Sequence, residues 1–220
     1  MSILSFSIER IRLELAHVDI QEAIRYSLSD SGGERRKLSI LSTSAVVSSD
    51  KLMDLYFMRH GIASPLGTSG IKSDRERPLT QKGLKRIRKA AKGLSSLGIR
   101  FGRILTSPSL RAQQTAQLVA KKLNMEEQLE EVKELAPEGS VQGLLSSLTS
   151  YRAQKQILLV GHEPLLSETI SFLLSEGNNI RIGLKKGSLC YVEVDDLPPQ
   201  KGALLHWMLT PKQLRLLSGS

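Results

Sequence analysis

The chain is short of several things, and each shortage removes a class of protein. Its 220 residues include one cysteine, Cys190, so neither an intrachain disulfide framework nor a cysteine metal cluster is expected, and a reducing compartment is the default. Aromatic residues make up only 4%. No apolar run approaches the ~18 to 20 residues of a membrane span, since the longest candidates, 156–161 and 165–174, are short or interrupted by charge. A cytoplasmic protein with no membrane partner is therefore expected. The chain has no GxGxxG or Walker-type glycine pattern, and 67–73 fails the spacing, which argues against nucleotide loops. Its four histidines, His17, His60, His162 and His206, form no HExxH pair because Leu166 stands at the second position. No metal and no cofactor are expected.

Acidic residues are also scarce, with 22 against 31 Lys and Arg and a formal charge of +9. The imbalance is local. Residues 1–52 hold seven basic and seven acidic groups, so the whole excess belongs to 53–220. Ile3 to Leu28 could form a modest helix, and 27–50 is serine-rich and poor in large apolar groups, which reads as linker or tail. Residues 1–52 are thus a neutral extension: flexible, a targeting segment, or sequence upstream of a true start at Met53. Residues 53–220 form the domain.

Within that domain apolar runs alternate with helical patterns. Leu52 to Met58 reads as a buried strand that stops at Arg59-His60-Gly61. Thr80 caps a helix with Leu84, Ile87, Ala91, Leu94 and Leu97 on one face, ended by Gly98. Phe101 to Thr106 is a second strand, and Ser107-Pro108 predicts an N-cap and first helical position leading into Leu110 to Leu123. A third strand at Glu131 to Leu135 and a helix from Val141 to Tyr151 follow. Ile157 to Val160 is a fourth strand, broken by Gly161-His162-Glu163-Pro164 before another helix. Ser188 to Val194 and Ala203 to Leu209 read as an antiparallel pair. The expected fold is a three-layer α/β/α domain whose mostly parallel sheet ends in an antiparallel C-terminal edge, and such sheets bind ligands at the carboxyl ends of their strands.

Three strand-to-helix junctions carry chemistry: Arg59-His60, Arg111 and His162. Each alone has a bland reading, as a chance pair, a solvated helix residue or a structural histidine. Together, two imidazoles and two guanidiniums on one rim make a cationic pocket suited to a phosphoryl group, whose oxygens match guanidinium forks. A neutral imidazole can attack phosphorus and yields an intermediate that water can hydrolyse. Cys190 sits inside an apolar run with no arginine six residues later, so it reads as structural.

These residues resemble a known family. Phe57-Met58-Arg59-His60-Gly61 is similar to the signature of the histidine phosphatase superfamily, the phosphoglycerate-mutase-like group. Arg77-Pro78-Leu79-Thr80, Thr106-Ser107-Pro108 with Arg111-Ala112-Gln113-Gln114-Thr115-Ala116, and Val160-Gly161-His162-Glu163-Pro164 resemble its further motifs. Their order and compactness look most like the SixA-type phosphohistidine phosphatases, from about Met53 to the C-terminus, while the first 52 residues match nothing in it. The resemblance implies His60 as nucleophile, Arg59 and Arg111 as phosphate clamps, His162 as a donor to the transferring phosphoryl, and Arg77 as a further substrate contact. It leaves the proton donor open between Glu138, Glu163 and none. No donor would suit phosphohistidine, whose leaving imidazole needs less protonation than an alkoxide.

The implied partner is a phosphohistidine-bearing protein or, within the same chemistry, a small phosphoester. A non-catalytic phospho-ligand module is the alternative class, but a binder has no need of a nucleophilic imidazole. Eight basic residues from Lys82 to Arg103 with no acid among them suggest nucleic acid, yet only Phe101 is aromatic there, which argues against a stacking surface. The oligomeric state is not readable.

Overall fold

The computed structural model describes residues 52–175, 180–197 and 202–217, all within the unit Lys51–Ser220. The expectations for the N-terminal extension lie outside the described residues. In chain order the elements are β1 (Met53–Arg59), α1 (Gln81–Ser95), β2 (Arg103–Thr106), α2 (Leu110–Leu123), β3 (Leu129–Glu131), α3 (Val141–Leu148), β4 (Gln156–Gly161), α4 (Leu165–Ser175), β5 (Leu189–Val194), β6 (Ala203–Leu209) and α5 (Pro211–Leu216). The strands form one sheet in the order β3-β2-β4-β1-β5-β6. β3, β2, β4 and β1 pair in parallel, and β5 and β6 add the antiparallel edge.

The strands next to β1 are apolar because both faces of the sheet are covered. Leu55 and Phe57 of β1, Ile157 and Leu159 of β4, and Cys190 and Val192 of β5 pack with Leu144 and Leu148 of α3 and Leu166 and Ile170 of α4. The alternate residues Tyr56, Met58, Ile104, Leu158 and Val160 are equally buried on the face that carries α1 and α2. Each such side chain contributes about 1.5 to 3 kcal/mol by leaving water. The result is the expected three-layer α/β/α arrangement.

Three local expectations need correction. The third strand lies at Leu129–Glu131 rather than 131–135, because the chain leaves the sheet edge in a 3₁₀ turn at Lys133–Leu135 that buries Leu135 in the core. The α-helix starting at Val141 stops at Leu148, and Thr149–Tyr151 continues as a 3₁₀ turn. The helix after β2 begins at Leu110 with Ser109 as its N-cap, not at Pro108 with Ser107. The Ser107 hydroxyl is engaged elsewhere, accepting from the Ser109 N–H (3.2 Å) and contacting His162 (2.8 Å).

Register places the junctions together. Arg59 is opposite Gly161 and Thr106 opposite Val160, so His60, Ser107 and His162 each follow a strand ending at the same level. The His60 N–H donates to the Gly161 carbonyl (3.1 Å) and the Ser107 N–H to Val160 (3.0 Å), which extends this alignment past the strands. The loop after His60 is also tied to α1: the Thr80 N–H donates to the Ile62 carbonyl (2.8 Å), and Thr80 Oγ1 caps the helix by accepting from the Gly83 N–H (3.0 Å). Gly83 permits this approach, since a Cβ there would stand 2.2 Å from the Ile62 oxygen.

Candidate active site

His60 is buried at the carboxyl end of β1, and its two ring nitrogens have different partners. Nδ1 lies 2.7 Å from the Gly61 carbonyl oxygen, which can only accept. Nδ1 therefore carries the proton. Arg111 Nε donates to Nε2 at 3.3 Å, which requires a lone pair on that nitrogen. Both contacts select the same neutral tautomer, with a lone pair on Nε2. Burial is the main cause of a His60 pKa lowered to about 4; the Gly61 contact opposes that shift and the charges of Arg111, Arg59 and Lys186 add to it.

Arg111 stands at the start of α2 and is itself buried. Its Nη1 donates to the Asp74 carbonyl (2.5 Å) and its Nη2 to Asp74 Oδ2 (2.7 Å), while Nε faces His60. One end of the fork is thus anchored and the Nε side turned to His60. The other carboxylate oxygen of Asp74 accepts from Arg77 Nη1 (2.6 Å), and Arg77 Nε donates to the Ser64 carbonyl (2.6 Å). The hydrogen bond from Arg77 is the largest cause of an Asp74 pKa held below its ordinary value, so this carboxylate is ionised between two guanidiniums. Thr115, one turn beyond Arg111, accepts from the Gly61 N–H (3.1 Å) and donates to the Arg111 carbonyl (2.7 Å), linking α2 to the His60 loop.

His162 is buried beside His60, with ring centroids 4.8 Å apart and planes inclined by 54°. Its Nε2 lies 2.8 Å from Ser107 Oγ. Burial, then the neighbouring His60 and Arg111, lower its pKa to about 3. Arg59 donates from Nη1 to the Leu184 carbonyl (2.7 Å). Arg59 Nε and His162 Nδ1 are buried with no hydrogen-bond partner among the described residues. Unpaired buried polar atoms are costly, and here two of them belong to the residues beside His60.

The structure therefore brings Arg59, His60, Arg111 and His162 to one rim, with Arg77 joined to them through Asp74. Glu138 is not brought into contact. It lies exposed on the loop before α3, and no hydrogen bond or ion pair joins it to these four residues. Glu163 is half-buried and both its oxygens are occupied, accepting from the Leu184 N–H (2.9 Å) and from the Ser167 hydroxyl. Cys190 is fully buried, and burial pushes its thiol up to about 12, which suits a packing role. Among the described residues, no group of three or more His, Cys, Asp or Glu is placed to hold a metal ion, and no helix is long and apolar enough to cross a membrane.

Sequence reasoning missed Asp74, Ser107 and Lys186 as parts of the site. Asp74 lies three residues before Arg77, and that spacing was a usable signal. Ser107 was read as a helix cap. Lys186 has no local signal: the loop that carries it reaches the site because the Leu184 side chain is buried and the Gly187 N–H donates to the Arg59 carbonyl (2.9 Å).

Comparison with known proteins points the same way. Residues 55–144 match the family described as Histidine phosphatase superfamily (branch 1). An uncharacterized protein of Picosynechococcus is 39% identical over 140 residues, covering 62% of this chain and 82% of the relative. Phosphohistidine phosphatase SixA of Escherichia coli is 34% identical over 124 residues, covering 55% of this chain and 74% of the relative. Among solved structures, protein histidine phosphatase SixA complexed with tungstate superposes with a TM-score of 0.64 at 27% identity, covering 74% of this chain and 99% of that one.

Proposed function

The chain belongs to the histidine phosphatase superfamily, the phosphoglycerate-mutase-like group, and we propose that it is a metal-independent phosphatase that removes the phosphoryl group from phosphohistidine on a protein. One observation carries the proposal: the Nε2 lone pair of a buried neutral His60 faces Arg111, and among the described residues no carboxylate at the site is free to act as a proton donor. Asp74 is ionised by its arginines and Glu163 is occupied.

In this reading His60 Nε2 attacks phosphorus, the Nε2–P bond forms and the substrate N–P bond breaks. The leaving imidazole needs no proton from the enzyme when its distal ring nitrogen is already protonated, since it then departs neutral. An alkoxide has no such internal proton. Phosphorylated His60 keeps its Nδ1–H on the Gly61 carbonyl, so it too is a phosphoimidazolium. Water then attacks phosphorus, the Nε2–P bond breaks, and neutral His60 and inorganic phosphate result, with the water proton passing to phosphate or solvent.

The neighbours serve the charge that moves. Arg111 Nε and Arg59 Nε meet the phosphoryl oxygens as fixed cationic donors, and such preorganised donors are worth most where water is excluded. In this reading Ser107, which accepts from the Ser109 N–H, is the donor in its contact with His162 Nε2, so that His162 carries its proton on Nδ1, available to a phosphoryl oxygen. Arg77 holds Asp74. The SixA relatives, named for phosphohistidine phosphatase activity and in one case bound to the oxyanion tungstate, support this substrate class.

The test is hydrolysis of a histidine-phosphorylated carrier protein, free phosphohistidine and a panel of small phosphomonoesters, by wild type and His60→Ala. Turnover of the phosphohistidine substrates is expected to fall by at least about 10⁴-fold in the variant, with acid-labile, base-stable phosphate trapped on His60 of the wild type. Preference for alkyl phosphoesters would make the protein a small-molecule phosphomonoesterase, and equal activity in both proteins would remove the enzyme reading.

A further inference from the structure

The exposed face of α1 carries charge that the fold does not use. Lys82, Lys85, Arg86, Arg88, Lys89 and Lys92 all point to solvent, and the helix contains no acidic residue. None of the six side chains makes an ion pair or hydrogen bond with another described residue. Packing is done by the opposite face, where Ile87, Ala90, Ala91 and Leu94 are buried.

The arrangement is self-repelling. Lys82 and Arg86, Lys85 and Lys89, and Arg88 and Lys92 are each four residues apart, so like charges face one another along the helix. Lys82, Lys85 and Arg86 also lie in the first two turns, where unpaired peptide N–H groups already make the helix end positive. A pattern chosen for stability would place carboxylates there. The helix is also adjacent to the nucleophile: Thr80 is bonded to Ile62, and the Ile87 side chain lies against Gly61, so close that a Cβ on Gly61 would stand 2.7 Å from it.

We propose that the exposed face of α1 is the docking surface for an acidic patch on the histidine-phosphorylated protein substrate. This rests on the phosphatase reading and names the partner that reading requires. The Thr80 cap of α1 is bonded to the loop that follows His60, so a protein presenting a phosphohistidine to His60 has surface within reach of the first turns of α1, and carboxylates on it would relieve the repulsion among the six cations. A small phosphoester has no second surface to lay on the face and gains nothing from it. The helix has no aromatic residue to stack bases, and this favours protein over nucleic acid.

The test replaces Lys82, Lys85, Arg86 and Lys89 together with glutamine and uses two probes: an acidic carrier protein phosphorylated on a surface histidine with phosphoramidate, and free phosphohistidine. Direct titration of the carrier onto the protein is expected to weaken by about ten-fold or more at low ionic strength, with a flatter salt dependence. The kcat/KM for free phosphohistidine should stay within about two-fold, and the melting temperature should be equal to or above that of wild type because repulsion has been removed. Unchanged carrier binding, an equal loss on both probes, or a lower melting temperature would overturn the proposal. Tighter wild-type binding to a duplex oligonucleotide than to the carrier, lost in the same variant, would overturn it in favour of nucleic acid. Absence of turnover on either probe in both proteins would instead count against the phosphatase reading, while the binding titration still reads the surface.

Discussion

The cluster around His60 and the outer face of α1 both carry arginine and lysine, yet the same charges behave differently in the two places. In the cluster every guanidinium has a named hydrogen-bond partner: Arg111 holds Asp74, Arg77 holds Asp74 and Ser64, and Arg59 holds Leu184. On α1 the cations stand in water with no partner among the described residues. Burial is what separates them. In a desolvated site charges act over short distances and strongly, adding to the burial that is the main cause of the lowered imidazole pKa values, whereas in water they are screened within about 8 to 10 Å. One region is therefore suited to chemistry at a single atom and the other to a diffuse attraction.

The contrast is broken most severely inside the cluster. Arg111→Lys keeps the charge but loses the planar fork, and kcat/KM on phosphohistidine should fall by roughly 100-fold; a loss below ten-fold would mean that charge alone suffices there. Asp74→Asn removes the anion that anchors the far end of that fork. The expected cost is about ten-fold, chiefly in kcat, with much of it restored by Asp74→Glu. A gain in activity would show that Asp74 competes with the phosphoryl group instead of positioning its clamp.

A smaller effect comes from pH. His60, with its pKa lowered to about 4, stays neutral through the usual titration range of histidine, so kcat/KM on phosphohistidine, divided by the fraction of substrate whose distal ring nitrogen is protonated, should hold level from pH 7 to near 5 and decline as pH approaches 4. Stability follows a different window. The unfolded histidines bind protons below about pH 6.5, while folded His60 and His162 do not until about 4 and about 3. Hence their contribution is fully present above 6.5 and is lost as pH falls below it. Thermal melting between pH 7 and 5 should show a decline that His162→Asn reduces; a flat profile would mean these histidines are not buried neutral.

Much of the site was legible because its residues sit at breaks in local pattern. The apolar run of β1 ends at Arg59-His60-Gly61 and that of β4 at Gly161-His162, and parallel α/β sheets gather such breaks on one rim. The errors cluster where a residue has a second use. Ser107-Pro108 is a strong helix start by local chemistry, but its hydroxyl serves His162, and the helix begins at Leu110 instead. The strand expected at 131–135 failed because Leu135 packs into the core from a turn, and a short apolar segment carries no signal that tells those cases apart.

Residue types and spacing along the chain were enough to establish the layered α/β class, the placement of the charge excess after residue 52, and the four residues that share the rim. Local pattern controls these, because a strand's burial and a helix's amphipathic face are set over a few residues. Tertiary structure decided which nitrogen of His60 is free, that Asp74 anchors Arg111 across 37 positions, and that Glu138 stands apart from the histidines while Lys186 lies close enough to perturb one. Those outcomes depend on register and on distant loops meeting at one point, and a carboxylate's neighbours in space determine its protonation and its use where its neighbours in sequence do not.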